Sequence, residues 1–202
     1  MALVSRTSNH DPIISAYLGP MFAGKSTLLQ SIFEKLQVAL GDAVLSIHST
    51  INTRDDFNEI KTHSNGVRHS IAVRNFKDLQ QCCESQKTAV RAIVLDEAQF
   101  FDDLPEICHY TQANDIDLYF AALNKTYDNE PWPGVQKSIH LCTRIEIVYA
   151  VCVKCKDMQA LYSHLFHPSA VDGNIIVGAG EIFESLCKTC FDKARELDTL
   201  NK

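Results

Sequence analysis

The chain has 202 residues, of which 46% are hydrophobic and 22% are charged, a composition typical of a folded globular protein and not of a disordered one. Its net charge of −6 argues against a protein whose main task is to grip a nucleic-acid backbone, because that task needs a basic excess. No apolar run approaches the ~20 residues that cross a bilayer, and the N-terminus lacks the apolar core of a signal peptide. We therefore expect a cytoplasmic protein.

Predicted strands and helices alternate along the first two thirds of the chain. Ile13–Leu18 is an apolar run of strand length, and apolar residues recur at helical spacing over Lys25–Leu40. The further predicted elements are strands at Ala43–His48, Ala92–Asp96 and Asp117–Leu123, and helices at Phe76–Ser85 and Pro105–Ala113. Ser49–Gly66 and Asn124–Gly134 are predicted to be connections. This alternation favours an α/β fold with a parallel sheet and βα crossovers.

A phosphate-binding loop is predicted between the first strand and the first helix, where the G-x-x-x-x-G-K-[ST] pattern is complete. Its glycines let backbone amides surround phosphates, and the helix start adds its positive dipole end. Lys25 would neutralise the β- and γ-phosphates, and the Ser26 hydroxyl would bind Mg²⁺. A chance glycine turn is the weaker alternative, because a strand and a helix flank the motif. The predicted ATP-binding residues here are Gly19, Pro20, Met21, Phe22, Ala23, Gly24, Lys25 and Ser26.

A second candidate site is the strand Ala92–Asp96, which ends in Asp96 and is followed directly by Glu97. In nucleotide-binding sheets, ligands lie beyond the carboxyl ends of the strands, so Asp96 can hold Mg²⁺ directly or through water. Glu97 is then free for another task, such as polarising a nucleophile. Two solvated acids at a strand end are the alternative, and the phosphate loop favours the functional interpretation.

Four of the eight cysteines form two Cys-x₂-Cys pairs with 31 residues between them. Cys152, Cys155, Cys187 and Cys190 supply four thiolates, enough for a closed tetrahedral Zn²⁺ site. In a reducing compartment such pairs indicate metal binding and not disulfides. A redox role and inert buried cysteines are the weaker alternatives. We predict a small structural zinc ribbon, whose insert lacks the basic cluster that nucleic-acid binding needs.

Four motifs follow one another in a fixed order: Gly-Pro-Met-Phe-Ala-Gly-Lys-Ser-Thr at 19–27, Asp-Glu-Ala-Gln-Phe-Phe at 96–101, Ala-Ala-Leu at 121–123, and the paired cysteines. In this order they resemble the zinc-containing type II thymidine kinases, over about residues 13–192. The resemblance implies a P-loop α/β nucleotide-binding domain over residues 1–150. It also implies a zinc-anchored lasso domain with a C-terminal helix over residues 151–202, which closes over the nucleoside.

The resemblance implies a deoxynucleoside kinase that transfers the ATP γ-phosphate to the 5′-hydroxyl of thymidine, and also of deoxyuridine. Glu97 is then the general base, Ser26 and Asp96 hold Mg²⁺, and Thr27 and Gln99 belong to the ATP site. The implied nucleoside-binding residues are Met21, Arg54, Leu123, Tyr127, Trp132, Tyr162, Val177, Gly178, Ala179, Gly180 and Phe183.

The implied partners are ATP and a pyrimidine deoxynucleoside, with feedback inhibition by dTTP, a homotetramer or dimer, and neither a membrane nor a nucleic acid. The implied location is the cytoplasm, that of the host if the protein is viral. Two alternatives stay open. One is a P-loop ATPase whose zinc ribbon binds a nucleic-acid or protein partner, and the other is a catalytically impaired relative that only binds nucleotides.

Several positions depart from the family pattern. The family motif Asp-x-Arg is Asn-Thr-Arg at 52–54 here, and Ser/Thr-His-Asp is Thr-His-Ser at 62–64, so two acids are missing. The family motif Leu-Asp-Gly-Thr-Phe is Leu-Asn-Lys-Thr-Tyr at 123–127. The family threonine that lies against the thymine methyl aligns with Tyr162, or with Ser163 if the register slips by one residue. These changes leave phosphoryl transfer plausible and loosen the expected preference for thymidine.

Overall fold

The computed structural model describes residues 11–50, 59–61, 67–166 and 182–200. These residues contain ten strands: β1 Ile14–Gly19, β2 Val44–Ser49, β3 Glu59–Lys61, β4 Val67–His69, β5 Ile71–Val73, β6 Ala92–Asp96, β7 Asp117–Leu123, β8 Arg144–Ile147, β9 Tyr162–Leu165 and β10 Phe183–Leu186. The helices of the same residues are α1 Lys25–Leu40, α2 Phe76–Glu84, α3 Leu104–Ala113, α4 Pro133–Ser138 and α5 Lys188–Leu200.

Six strands form one parallel sheet in the order β5-β2-β6-β7-β1-β8. Every residue of β1, β2 and β6 is buried, as expected for strands covered on both faces. Side chains alternate between the faces: Ile93 and Leu95 join the apolar cluster that includes residues of α2, α3 and α4, whereas Ala92 and Val94 join that of α1. The predicted α/β fold with a parallel sheet is confirmed.

The boundaries of strands, helices and connections predicted from the sequence are wrong where the elements are short. The connection predicted over Ser49–Gly66 contains β3, which pairs with β4 as an antiparallel hairpin. The connection predicted over Asn124–Gly134 ends two residues early, because α4 begins at Pro133. The fixed φ of proline suits the first turn of a helix. The edge strands β5 and β8 are only three and four residues long, too short for a periodic pattern to reveal.

A smaller unit, which we call the cysteine unit, comprises residues 150–166 and 182–200. Within it β9 and β10 pair in antiparallel fashion, and α5 packs against them around an apolar cluster that contains Leu186 and Phe191. The buried His164 contacts Glu184 (Nδ1 to Oε1, 3.0 Å) and Asp198 (Nε2 to Oδ2, 2.9 Å), and so joins both strands to α5. In the parts of the chain that the structure describes, no helix is long and apolar enough to span a membrane.

Candidate active site

The phosphate loop joins β1 to α1 in a conformation that requires glycine at two positions. A Cβ on Gly19 would lie 2.1 Å from the carbonyl oxygen of Val148, and Gly24 has a φ of +80°. Gly24 caps α1, and no described side chain caps the amides of the first turn. Free first-turn amides at a helix N-terminus form an anion site, so the loop can bind phosphate.

Lys25 lies where the loop meets the acidic end of β6. Its Nζ donates a hydrogen bond to the carbonyl oxygen of Pro20 at 2.7 Å. Removal of water lowers the pKa of Lys25, while the charges of Glu97 and Asp96 act in the opposite direction. The structure therefore brings the predicted phosphate lysine and both predicted carboxylates into one electrostatic site.

Glu97 is held in place through Gln99. The backbone of Glu97 has a φ of +54°, and its amide donates to Oδ1 of the buried Asp96 at 2.9 Å. Gln99 Nε2 donates to Glu97 Oε2, and Gln99 Oε1 accepts a hydrogen bond from the amide of Leu123 at 3.1 Å. The motif predicted Gln99 in the site, but only the fold shows that it links Glu97 to the end of β7.

Tyr127 and Trp132, two of the aromatic residues implied to bind the nucleoside, pack against different parts of the protein. The ring of Tyr127 lies 6.4 Å from that of Phe183, at the boundary with the cysteine unit. Trp132 meets Phe100 edge to face at 5.8 Å and packs against the core of the main sheet. Its buried Nε1 has no hydrogen-bond partner within the described residues. Phe100 lies inside the 96–101 motif, but the sequence pattern did not predict its contact with Trp132.

Ser163, and not Tyr162, is the residue of β9 that contacts the phosphate loop. The buried Ser163 Oγ accepts a hydrogen bond from the amide of Met21 at 3.0 Å. The neighbouring Tyr162 stacks on Phe191, with centroids 4.6 Å apart, and the Lys125 ammonium lies 4.2 Å above the Tyr162 ring. Adjacent side chains of a strand point to opposite faces, so of the two residues that the alignment left open, Ser163 contacts the phosphate loop and Tyr162 packs against α5.

A cleft of about 470 Å³ lies between the tip of the phosphate loop and the cysteine unit. It is lined by Phe22, Val151, Val153, Phe166, Phe183, Glu184 and Ser185. The predicted nucleoside residue Phe183 is among them, and the Phe22 side chain is 39% exposed at the loop tip. Arg54, Val177, Gly178, Ala179 and Gly180 lie outside the described residues.

The four paired cysteines converge on one point. The Sγ atoms of Cys152, Cys155, Cys187 and Cys190 all lie within 4.8 Å of one another. Tetrahedral zinc with Zn–S bonds of about 2.3 Å requires sulfurs roughly 3.8 Å apart, so the donor set and spacing fit Zn²⁺. Burial opposes ionisation of Cys152, but hydrogen bonds from the backbone of Cys155, Cys187 and Lys154 lower its pKa to about 6. None of the eight cysteines forms a disulfide.

The parallel sheet, the phosphate loop and the acidic strand end define a P-loop nucleotide-binding protein with an added four-cysteine cluster. The sequence model of the thymidine kinase family matches residues 12–191. The chain belongs to the thymidine kinase family.

Relatives in viruses and bacteria are similar over nearly their full length. The thymidine kinase of African swine fever virus (isolate Tick/South Africa/Pretoriuskop Pr4/1996) is 31% identical over 180 residues, which cover 89% of this chain and 93% of the relative. The thymidine kinase of Pseudothermotoga lettingae is 28% identical, with coverages of 89% and 95%. That of Myxoma virus (strain Uriarra) is 26% identical, with coverages of 88% and 95%.

Proposed function

We propose that this protein transfers the γ-phosphate of ATP to the 5′-hydroxyl of thymidine. The observation that carries the proposal is the pair of carboxylates at the end of β6, Asp96 and Glu97, whose charges act on Lys25 of the phosphate loop. A phosphate loop alone would fit any P-loop nucleotide-binding protein. A second carboxylate, held next to the metal-binding acid by Gln99, adds a group that can receive a proton from an acceptor hydroxyl.

In this proposal the phosphate loop and β6 hold Mg-ATP. The first-turn amides of α1 and the Lys25 ammonium bind the β- and γ-phosphates, with the other residues of 19–27 forming the loop around them. Ser26 at the start of α1 and Asp96 at the end of β6 provide the hydroxyl and the carboxylate that Mg²⁺ prefers. Mg²⁺ bound there would neutralise charge that develops on the transferring phosphoryl group.

Glu97 acts as the general base. The 5′-oxygen of the nucleoside forms a bond to the γ-phosphorus while the bond from that phosphorus to the bridging oxygen of ADP breaks. The proton of the hydroxyl passes to the Glu97 carboxylate, which Gln99 orients. The left-handed backbone of Glu97 supports this assignment, because strained conformations are concentrated at functional sites.

The nucleoside is proposed to lie between the phosphate loop and the cysteine unit. Met21, Leu123, Tyr127, Trp132 and Phe183 provide apolar contacts, and Ser163 takes the place expected of Tyr162. The backbone of residues 177–180 would read the edge of the base, and Arg54 would meet phosphate. Because these contacts would be made to the edge of the pyrimidine, which thymine and uracil share, we also propose that deoxyuridine is accepted.

Zn²⁺ is proposed to be structural. All four coordination positions are supplied by cysteines, which leaves none open for substrate. The metal would tie the chain near residue 152 to the start of α5, so that residues 151–202 form a lasso domain beside a nucleotide-binding domain of residues 1–150. Four reduced thiolates suit a reducing compartment, which supports a cytoplasmic location.

Self-association as a dimer or tetramer is proposed from the edge strand β8. Among the described residues β8 is an edge strand, and its apolar side chains Ile145 and Ile147 are exposed by more than two fifths, as is that of the nearby Tyr149. Exposed apolar side chains on an edge strand favour pairing with another chain. Mass measurement in solution over a range of concentrations tests the assembly, and repeating it with dTTP tests whether that proposed inhibitor alters it.

One assay tests the activity. Purified protein with Mg-ATP is given each deoxynucleoside in turn, and single-stranded DNA in a parallel reaction, and both ADP and the nucleoside monophosphate are measured. We expect equal amounts of ADP and thymidine monophosphate, with purine deoxynucleosides inactive. ADP formation that depends on DNA and not on any nucleoside would instead establish the ATPase alternative. Binding of ATP without turnover of any nucleoside would establish the impaired relative.

A further inference from the structure

The loop that follows β7, residues 124–130, touches the cysteine unit through polar contacts. Asn124 Nδ2 donates a hydrogen bond to the carbonyl oxygen of Leu161 at 3.0 Å. The Lys125 ammonium lies 4.2 Å from the centroid of the Tyr162 ring. These two neighbouring residues therefore engage two consecutive residues, Leu161 just before β9 and Tyr162 at its start.

Further contacts fix both partners of this pair, the Lys125 ammonium and the Tyr162 ring. Lys125 Nζ also donates a hydrogen bond to Asn129 Oδ1 at 2.8 Å, within the same loop. On the opposite side of the ring, Phe191 of α5 stacks with Tyr162 at 4.6 Å and an interplanar angle of 25°. The result is a three-layer stack of ammonium, tyrosine and phenylalanine that runs from the loop through β9 to α5. A second link is the ion pair between Arg195 and Asp128 at 3.2 Å.

Both contacts depend on residues that depart from the family motif Leu-Asp-Gly-Thr-Phe. An ionised aspartate at position 124 could only accept hydrogen bonds, so it could not donate to the Leu161 carbonyl. A glycine at position 125 has no side chain that could reach Tyr162. Asn124 and Lys125 thus provide contacts between loop and cysteine unit that an aspartate at position 124 and a glycine at position 125 could not make.

We propose that Asn124 and Lys125 form a clamp that fixes the distance between loop 124–130 and β9, and thereby positions the nucleoside site. Tyr127 belongs to the clamped loop, and its ring faces Phe183 of the cysteine unit. Ser163, which contacts the phosphate loop, directly follows the clamped Tyr162. The two residues are positioning residues that act through Tyr127 and Ser163, and their effect on catalysis rests on the proposed function.

The first test is kinetic and uses Lys125→Met, which keeps the length of the side chain and removes its charge. We expect the KM for thymidine to rise about 2- to 30-fold, the range that corresponds to a cation–π contact, with kcat and the KM for ATP unchanged. Lys125→Arg should retain most of the wild-type KM because a guanidinium also stacks on aromatic rings. Lys137→Met, at an exposed lysine of α4, makes the same charge change and should have no effect.

A double-mutant cycle with Tyr162→Leu separates the contact from general damage. If the clamp operates, Lys125→Met should have little further effect on the thymidine KM once Tyr162 is replaced. Full additivity of the two substitutions would contradict the clamp, as would a wild-type KM in Lys125→Met.

Hydrogen exchange provides a readout that needs no kinase activity. In zinc-loaded protein without nucleoside, we expect amides of residues 161–165 to exchange faster in Lys125→Met than in wild type or Lys137→Met, at equal zinc content. Unchanged exchange would overturn the clamp even if thymidine is phosphorylated. Faster exchange in a protein that does not phosphorylate thymidine would support the clamp and refute the proposed function.

Discussion

At the scale of single residues, the candidate site depends on side chains whose positions are fixed by other polar groups. Glu97 has a positive φ, and its carboxylate accepts a hydrogen bond from the Gln99 side chain. The Gln99 side chain in turn accepts a hydrogen bond from the amide of Leu123. The Glu97 carboxylate is therefore oriented before any substrate binds. Lys25, bonded to the Pro20 carbonyl, is likewise oriented across the phosphate loop. Preorganisation of this kind lowers the cost of aligning groups during the reaction.

The separate tasks of Lys25 and Glu97 lead to different expected phenotypes. Glu97→Gln should lower turnover by about 10²–10⁴, the usual share of general base catalysis, with ATP affinity retained. Lys25→Ala removes a direct phosphate contact and should weaken ATP binding as well as turnover. Steady-state kinetics together with titration of ATP binding distinguishes the two. Equal losses of ATP affinity in both variants would contradict this division.

Trp132 combines a substrate role with a packing role. Trp132→Ala should raise the thymidine KM by about 5- to 150-fold if the ring stacks on the base, since such stacking contributes ~1–3 kcal/mol. It should also lower the melting temperature, because the contact with Phe100 is lost. Trp132→Phe keeps an aromatic ring and removes an N–H that has no partner among the described residues. We expect it to melt no lower than wild type, as measured by thermal denaturation.

At the scale of elements, β9 shows how strand alternation places neighbouring side chains in different environments. Tyr162 faces α5 and the clamp, while Ser163 faces the phosphate loop. One residue of register separates a side chain that packs against α5 from one that contacts the phosphate loop. Neighbouring residues of the 123–127 motif also have different partners. Asn124 and Lys125 contact Leu161 and Tyr162, whereas the ring of Tyr127 lies near that of Phe183.

This assignment predicts which residue controls the preference for a 5-methyl group. Ser163→Thr adds a methyl beside the phosphate loop and should change the ratio of kcat/KM between thymidine and deoxyuridine, since an apolar pocket discriminates one methyl by about 1–3 kcal/mol. Tyr162→Thr should raise KM for both nucleosides and leave their ratio unchanged. The measurement is kcat/KM for each nucleoside in all three proteins. If only Tyr162→Thr changed the ratio of kcat/KM between the two nucleosides, the result would show that Tyr162, and not Ser163, lies against the base.

At the scale of the whole molecule, two cores are joined at the site. The large parallel sheet carries the phosphate loop and the acids, while the cysteine unit has its own small cluster around Leu186 and Phe191. A core that small supplies little stability on its own, so a metal held by the four cysteines would stabilise it.

Metal removal should therefore act on the two cores in sequence. Chelation or Cys187→Ser should abolish nucleoside binding before the sheet unfolds, because structural zinc contributes about 10–16 kcal/mol of apparent binding energy to small units. Cys82→Ser, at a cysteine outside the cluster, is the matched control. Metal analysis of the purified protein, followed by hydrogen exchange of α5 and β6 during chelation, measures the effect. Absence of zinc from the purified protein, or simultaneous loss of both elements, would contradict it.

The sequence by itself determined the features that depend on local patterns. Apolar periodicity and the glycines of residues 19–24 predicted the parallel sheet and the loop, and the spacing of the cysteines predicted their convergence. Tertiary structure alone decided which neighbours meet across long distances in the chain. The link from Gln99 to Leu123, the contact of Ser163 with the phosphate loop, and the contact of Lys125 with the Tyr162 ring all depend on how separate elements pack. A one-residue shift in a strand reverses the face of every side chain, and sequence pattern fixes the boundaries of short strands only to within such a shift.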